Sequence, residues 1–384
     1  MLVLTGSAMN CSMRVSSWKT LGKAPAGVKF SGSPEPLYSV AIIGNNLAAQ
    51  LAALACHASG FDDVKRYRDA HDPEPQPAVY SLGANASRLL RALAPHPLED
   101  IAFFPDRFQV RFAKSAYLLA ELPLGDFYHQ RYGSPMMNVA GPALRQWLDR
   151  GLSAQLLAPM ALTEAESTQA LTILSSRQWS HRSGDGEFRV FHASLADHPL
   201  RRANVLWRGK GQYIEQVADT DRVHFRFVTP KGTDFVQADW HQSLHPALAA
   251  KTQLQDIFID ELNHSDNLFG GSVAFLSDAV TPPITCKIDG ANTALEDAWV
   301  LSRMMENYEE DIADGLAAYE RFRRPRHRNV MTGMRRHVTT LTESAAMKRL
   351  GQHVGTALQN RLLPEIALQR QDWLYQHDVI KGFR

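Results

Sequence analysis

The run YSVAII (residues 38–43) is almost unbroken apolar, β-type sequence ending at a glycine, the pattern of a strand buried on both faces of a parallel sheet. LAAQLAALACHA (47–58) is rich in Ala and Leu and predicts a helix packed closely on that strand. DVKRYR (63–68) predicts the second strand of a βαβ unit, and ASRLLRALA (86–94) an amphipathic helix. The β-type pieces RFQVRF (107–112) and AYLLAELPL (116–124) precede a helical PALRQWLDRGL (142–152), where Pro142 suits a first turn. From 170 to 229 short β-type segments dominate, among them ALTILS, EFRVFHA, ANVLWRG, QYIEQVA and RVHFRFV, separated by glycines and Asp-containing turns. A helix is expected around 246–262, a buried strand at SVAFLSDA (272–279), and a helix at GANTALEDAWVLSRMMENY (290–308) leading into a long helical tail.

This order predicts an α/β nucleotide-binding layer into which an antiparallel sheet is inserted. Hydrophobic residues make up 45% and charged residues 21%, so the chain can build a substantial core. A formal net charge of +1 points to neither nucleic acid nor a membrane surface, and no apolar run reaches the length of a span. Cys11, Cys56 and Cys286 lie far apart, which suits a reducing cytoplasm better than a disulfide framework or structural zinc. His241 and His245 are four apart but lack the acidic neighbour of a zincin motif, so they read as a partly solvated turn. Met1 to Pro34 carries no acidic residue. Residues 1–36 read as a flexible extension, a targeting segment or sequence upstream of a later start, with KAPAGVKFSGSPEP as a linker.

Three blocks carry a resemblance. AELPLGDFYHQRYGSPMMNV (120–139), SDAVTPPITCKIDGANTALEDAWVLSRMM (277–305) and YERFRRPRHRNV (319–330) resemble, in order and spacing, the single-component FAD-dependent aromatic hydroxylases, nearest the salicylate hydroxylase and 6-hydroxynicotinate monooxygenase branch. The resemblance implies a discontinuous Rossmann-like FAD domain (37–100, 138–182 and 265–345), a substrate-type β domain (101–137 and 183–264) and a C-terminal helical segment (346–384). It also implies noncovalent FAD, NAD(P)H as reductant, and hydroxylation of a small aromatic or heteroaromatic substrate.

Several positions depart from the family pattern. Of the three phosphate-turn glycines, which serve the turn, close approach to the pyrophosphate and helix packing, only Gly44 is kept. Asn46 and Ala49 replace the others. Asn46 is expected to point its side chain into the pyrophosphate space, which implies weakened binding. Arg68 stands where the family has a ribose-binding carboxylate, and a cation cannot accept those hydrogen bonds. Asp69 is one residue away, and the alternative reading makes Arg66 and Arg68 solvated strand-end charges. Ala140 and Gly141 stand in the places of a His-Arg pair, and Ser175, Ser176 and Arg177 at a turn that is acidic in the family. Asp278 is kept, and the resemblance places it at the ribityl chain. Gly290, Ala291 and Asn292 would approach the flavin ring through backbone amides, after Asp289 in place of a frequent glutamine. A carboxylate there would repel an anionic reduced flavin by ~4 kcal/mol at about 4 Å and an effective dielectric of roughly 20. Glu215 and Pro283 are the candidate substrate-pocket residues, with Gln216 as the alternative to Glu215.

Two functional readings follow. One is an FAD-dependent monooxygenase acting on a small aromatic compound. The other is a non-catalytic homologue whose flavin site is lost, serving as a partner subunit or small-ligand binder. Self-pairing and pairing with an intact paralogue are both open. RFRRPRHR (321–328) is expected as a solvated helix face. Trp147, Trp179, Trp207, Trp240 and Trp299 read as core or interface aromatics. Cys286 reads as a packed thiol.

Overall fold

Val40, Ala41 and Ile42 are all but fully buried, as a strand covered on both faces requires. In the computed structural model they form β1 (Val40–Ile43). The structure describes residues 39–44, 46–68, 78–93, 97–152, 160–161, 171–175, 187–257, 267–276, 290–308, 311–343, 369 and 371–383. The N-terminal extension, Asp69, Ser176, Arg177, Trp179, Asp278, Pro283, Cys286, Asp289 and most of the predicted C-terminal helical segment lie outside them.

Helix α1 (Leu47–Ala58) follows β1, and β2 (Val64–Arg68) pairs parallel to β1 with Val40 opposite Val64. Next in chain order are β3 (Val79–Leu82), α2 (Ala84–Leu93), β4 (Ala102–Phe103), β5 (Arg107–Phe112), β6 (Leu118–Pro123), α3 (Asp126–Tyr132), β7 (Met137–Ala140), α4 (Gly141–Asp149), β8 (Met160–Ala161) and β9 (Leu171–Leu174). The inserted strands follow: β10 (Phe188–Leu195), β11 (Ala203–Arg208), β12 (Tyr213–Ala218) and β13 (Val223–Pro230). The short helix α5 (His245–Ala249), β14 (Thr252–Ile257), β15 (Phe269–Gly270), β16 (Val273–Phe275), α6 (Gly290–Asn307) and α7 (Ile312–Leu341) complete the main body.

Three sheets result. The six-stranded sheet runs β15-β16-β9-β1-β2-β8, with β1 between β2 and β9 and parallel to both. Its core includes the Ala-rich face of α1, whose small side chains allow close approach, together with α6. The seven-stranded sheet runs β14-β10-β13-β12-β11-β5-β6 and is antiparallel except where β11 meets β5. β3, β7 and β4 form a small third sheet.

One predicted element is wrong in kind. Instead of a helix over 246–262, α5 ends at Ala249 and β14 begins at Thr252. The edge of β10 takes up this segment, pairing Phe188 with Ile257 and His192 with Thr252. The backbone groups of 252–257 thereby gain ladder partners that a surface helix would find only within itself.

The arginine block is also corrected. It lies in α7, but Arg323, Arg326 and His327 face inward and are buried. Arg323 Nε donates to Asp297 Oδ1 at 2.6 Å, and Arg326 holds Glu296 through two bonds of 2.9 and 3.0 Å. His327 Nε2 lies 2.8 Å from Asp297 Oδ1. Burial alone would raise both carboxyls. Arg326, His377 and Arg323 outweigh it at Glu296, and His327 and Arg323 at Asp297, so both are held below the usual carboxylate range. Arg66, read as a solvated strand end, is likewise buried. Trp147, Trp207, Trp240 and Trp299 are core residues.

Candidate functional site

At the carboxyl end of β1, Gly44 has φ +143°, and its N–H donates to Tyr67 O. A Cβ there would overlap Ser175 Oγ, so both backbone and space demand glycine. Ser175 is fully buried at the end of β9, and its Oγ donates to Ile43 O at 3.1 Å. Asn46 is the N-cap of α1. Its Oδ1 accepts the Ala49 N–H at 3.1 Å, and its Nδ2 donates to Ser175 O at 2.5 Å. The amide is thus tied between α1 and β9. Ala49 is completely buried against the turn.

The first turn of α6 holds Gly290, Ala291 and Asn292. Asn292 acts through its side chain, donating to Ser81 O at 3.0 Å and accepting the Gly83 N–H at 2.9 Å. This joins α6 to the turn between β3 and α2. Asn85 Nδ2 adds a second link to Glu296 Oε1 at 2.7 Å. Ala140 and Gly141 serve the β7–α4 junction, where Gly141 N–H donates to Ala78 O.

Between β3, the seven-stranded sheet and the C-terminal residues lies a cavity with the mixed apolar and polar lining that small-ligand sites have. Phe108, Leu122, Met136, Leu206 and Tyr375 supply apolar walls, and Ser81, Asn204, Glu215, His337 and Gln371 supply polar ones. Strand register explains the placement of Glu215. Leu206 lies opposite Glu215, Glu215 opposite Arg226, and Arg226 opposite His192, which makes one cross-strand row. Arg226 Nη1 stands 3.9 Å from Glu215 Oε2. Burial first, then His224 and Arg226, push the His192 imidazole down to about 4. Gln216 also borders the cavity, but its amide accepts from Trp207 Nε1 and donates to Leu200 O.

The cavity floor is held by a buried amide chain. Ser81 Oγ donates to Asn138 Oδ1 at 2.9 Å, and Asn138 Nδ2 donates to Asn204 Oδ1 at 2.7 Å and to Ala218 O at 2.9 Å. Tyr375 closes one end. Its ring packs edge-on against Tyr128 and Tyr132 and lies so near Gly83 that a Cβ there would meet it at 2.5 Å. Asp372 anchors this segment through Arg131 and the Tyr132 hydroxyl, and Arg326 binds the carbonyls of Trp373 and Leu374. No local pattern marks Ser81, Asn138, Asn204 or Tyr375 as site residues, because the partners named for them lie 57 or more positions away in other elements. Strand alternation alone could have pointed Asn204 and Glu215 to one face.

Among the described residues no group of His, Cys, Asp or Glu is arranged to hold a metal ion, and no helix is long and apolar enough to cross a membrane.

No family model and no curated protein matches the sequence. Solved structures do. Klebsiella pneumoniae HpxO complexed with FAD and uric acid is 19% identical, with a TM-score of 0.69 over 85% of this chain and 96% of that one. A salicylate hydroxylase substrate complex is 16% identical, with a TM-score of 0.68 over 92% and 98%. P. aeruginosa PqsL in complex with 2-aminobenzoylacetate is 15% identical, with a TM-score of 0.62 over 80% and 97%. The chain has the fold of the FAD-dependent monooxygenases of aromatic-hydroxylase type.

Proposed function

We propose that this chain is an FAD-dependent monooxygenase that hydroxylates a small aromatic or heteroaromatic compound, with NAD(P)H as reductant and O2 as oxidant. The observation that carries the reading is the cavity, tied through Ser81 and Asn292 to the first turn of α6. That helix start is where the family resemblance puts the flavin ring. Neighbours of the same fold carry small cyclic ligands, among them uric acid and 2-aminobenzoylacetate.

The residues present fit the two ends of FAD unequally. Gly290, Ala291 and the anchored Asn292 suit the ring end. The pyrophosphate end, at Gly44, Asn46 and Ala49, keeps its turn but not an open helix start. Asp278 and Pro283 complete the proposed cofactor and substrate contacts from sequence alone. When bound, FAD supplies the redox chemistry, so no protein nucleophile is required.

The chain's own contribution is binding and proton placement. Phe108, Leu206 and Tyr375 offer apolar and aromatic contact to a ring and exclude water. Glu215 offers a carboxylate oxygen that accepts a hydrogen bond from a ring hydroxyl or N–H and can hold its proton. The test is an absorbance spectrum of the purified chain with excess FAD, then NAD(P)H oxidation with a panel of aromatic compounds. Stimulated oxidation that falls at least ~10-fold in Glu215→Ala, the loss of a hydrogen bond to a charged group, supports the reading. A folded chain with no stimulated oxidation at saturating FAD refutes it.

A further inference from the structure

The start of α1 does not fit a pyrophosphate as it stands. In doubly wound folds the phosphate sits at a helix N-terminus, in the crevice beyond the carboxyl ends of the strands, and accepts the helix's free N–H groups. Here Asn46 does that work internally. Its Oδ1 takes the Ala49 N–H, one of the orphan donors of the first turn. Its Nδ2 reaches Ser175 O at 2.5 Å, so the amide bridges the start of α1 and the end of β9. The far anchor is rigid, since Ser175 is fully buried and both its N–H and Oγ bond to Ile43 O. No acidic residue occupies the first turn of α1, so the electrostatics of the helix start are not themselves hostile to an anion.

We infer that Asn46 is a built-in competitor for the FAD pyrophosphate, so that this chain holds FAD loosely and exchangeably. The inference rests on the proposed function and sharpens it. To bind FAD through α1, the Asn46 amide must give up its cap and its bond to Ser175, worth about tenfold in affinity together. The effect is confined to ligands with a pyrophosphate. Riboflavin, which has the ring but no phosphate, does not contend with Asn46.

The experiment is an equilibrium titration of the full chain with FAD and, separately, with riboflavin, followed by flavin fluorescence and absorbance. Wild type is compared with Asn46→Gly and Asn46→Ser. Glycine is a tolerated cap, so the first variant keeps the fold. Serine retains a capping oxygen but cannot donate across to Ser175 O. The inference expects Asn46→Gly to bind FAD about tenfold tighter than wild type, Asn46→Ser to fall between, and riboflavin affinity to stay constant across the three. Unchanged or weaker FAD binding in folded variants overturns it, as does equal tightening of riboflavin. In either case the proposed function stands if wild type binds FAD. If neither flavin binds wild type or variants, the inference and the proposed function fail together.

Discussion

Replacing Arg323 with Met tests whether the contact between α6 and α7 is a closed ionic network. Arg323 is fully buried and faces two carboxylates, Asp297 at 2.6 Å and Glu296 at 2.9 Å, the second without the alignment of a hydrogen bond. At about 4 Å between charge centres and an effective dielectric of ~20, each attraction is about 4 kcal/mol. Desolvation offsets most of it while the network is intact. Arg323→Met keeps much of the volume but leaves Glu296 to Arg326, His377 and the Asn85 amide, and Asp297 to His327. Breaking a buried pair at one partner costs ~3–5 kcal/mol. With an unfolding entropy of roughly 2 cal/mol/K per residue, that is about 4–7 °C in Tm for a chain of this size.

Calorimetry across pH reads the result. Asp297 and Glu296 have folded pKa values below their unfolded ones, so their stabilisation is present above the ordinary carboxylate range and lost as pH falls through the folded values. Without Arg323 both carboxyls protonate more easily, which discharges the uncompensated site. The gap between wild type and variant is therefore expected to narrow from pH 7 towards about 4. Arg323→Met/Asp297→Leu, which removes both members of the Arg323–Asp297 pair and leaves Glu296 to Arg326, is expected to recover part of the loss. A loss under ~1 kcal/mol, the level of exposed pairs, or a gap that does not change with pH refutes the reasoning.

Two further outcomes follow from the same physics. Gly44→Ala adds a Cβ onto Ser175 Oγ at a φ that L-residues rarely adopt, so it is expected to lose ~1–3 kcal/mol from backbone strain alone; Gly44→Ala/Ser175→Gly should recover only the clash, and full recovery in thermal unfolding would show that the φ carries no cost. His198 is buried edge-on against Trp207 and Phe225, and burial pushes its imidazole down to about 4. Its folded pKa is below the unfolded value, so the stability it permits is complete above about 6.5 and falls as pH drops towards 4, by at most ~3 kcal/mol. Denaturant unfolding of His198→Asn is expected to show a shallower acid slope than wild type. Equal slopes would mean that His198 titrates normally.

The local pattern was enough to read β1, α1, β2 and the helix at 290–308, because each is set by its own periodicity and Ala or β-branched content. It also named the residues whose chemistry is odd for the fold, such as Asn46 and Glu215. It could not say what those side chains touch. Asn46 was legible as a departure from the glycine pattern, yet its amide caps α1 and its second bond goes to a carbonyl 129 positions away. The arginines of α7 look like a solvated face because charge alone reports solubility. They are buried because α6 lays Glu296 and Asp297 against them. Residues 252–257 became a strand for the same kind of reason, since the edge of β10 offered a ladder that no local propensity encodes. Periodicity records which face of an element is apolar. Which buried polar groups meet is decided only when distant elements pack, because an unpaired charge or amide in the interior costs more than local preference can supply.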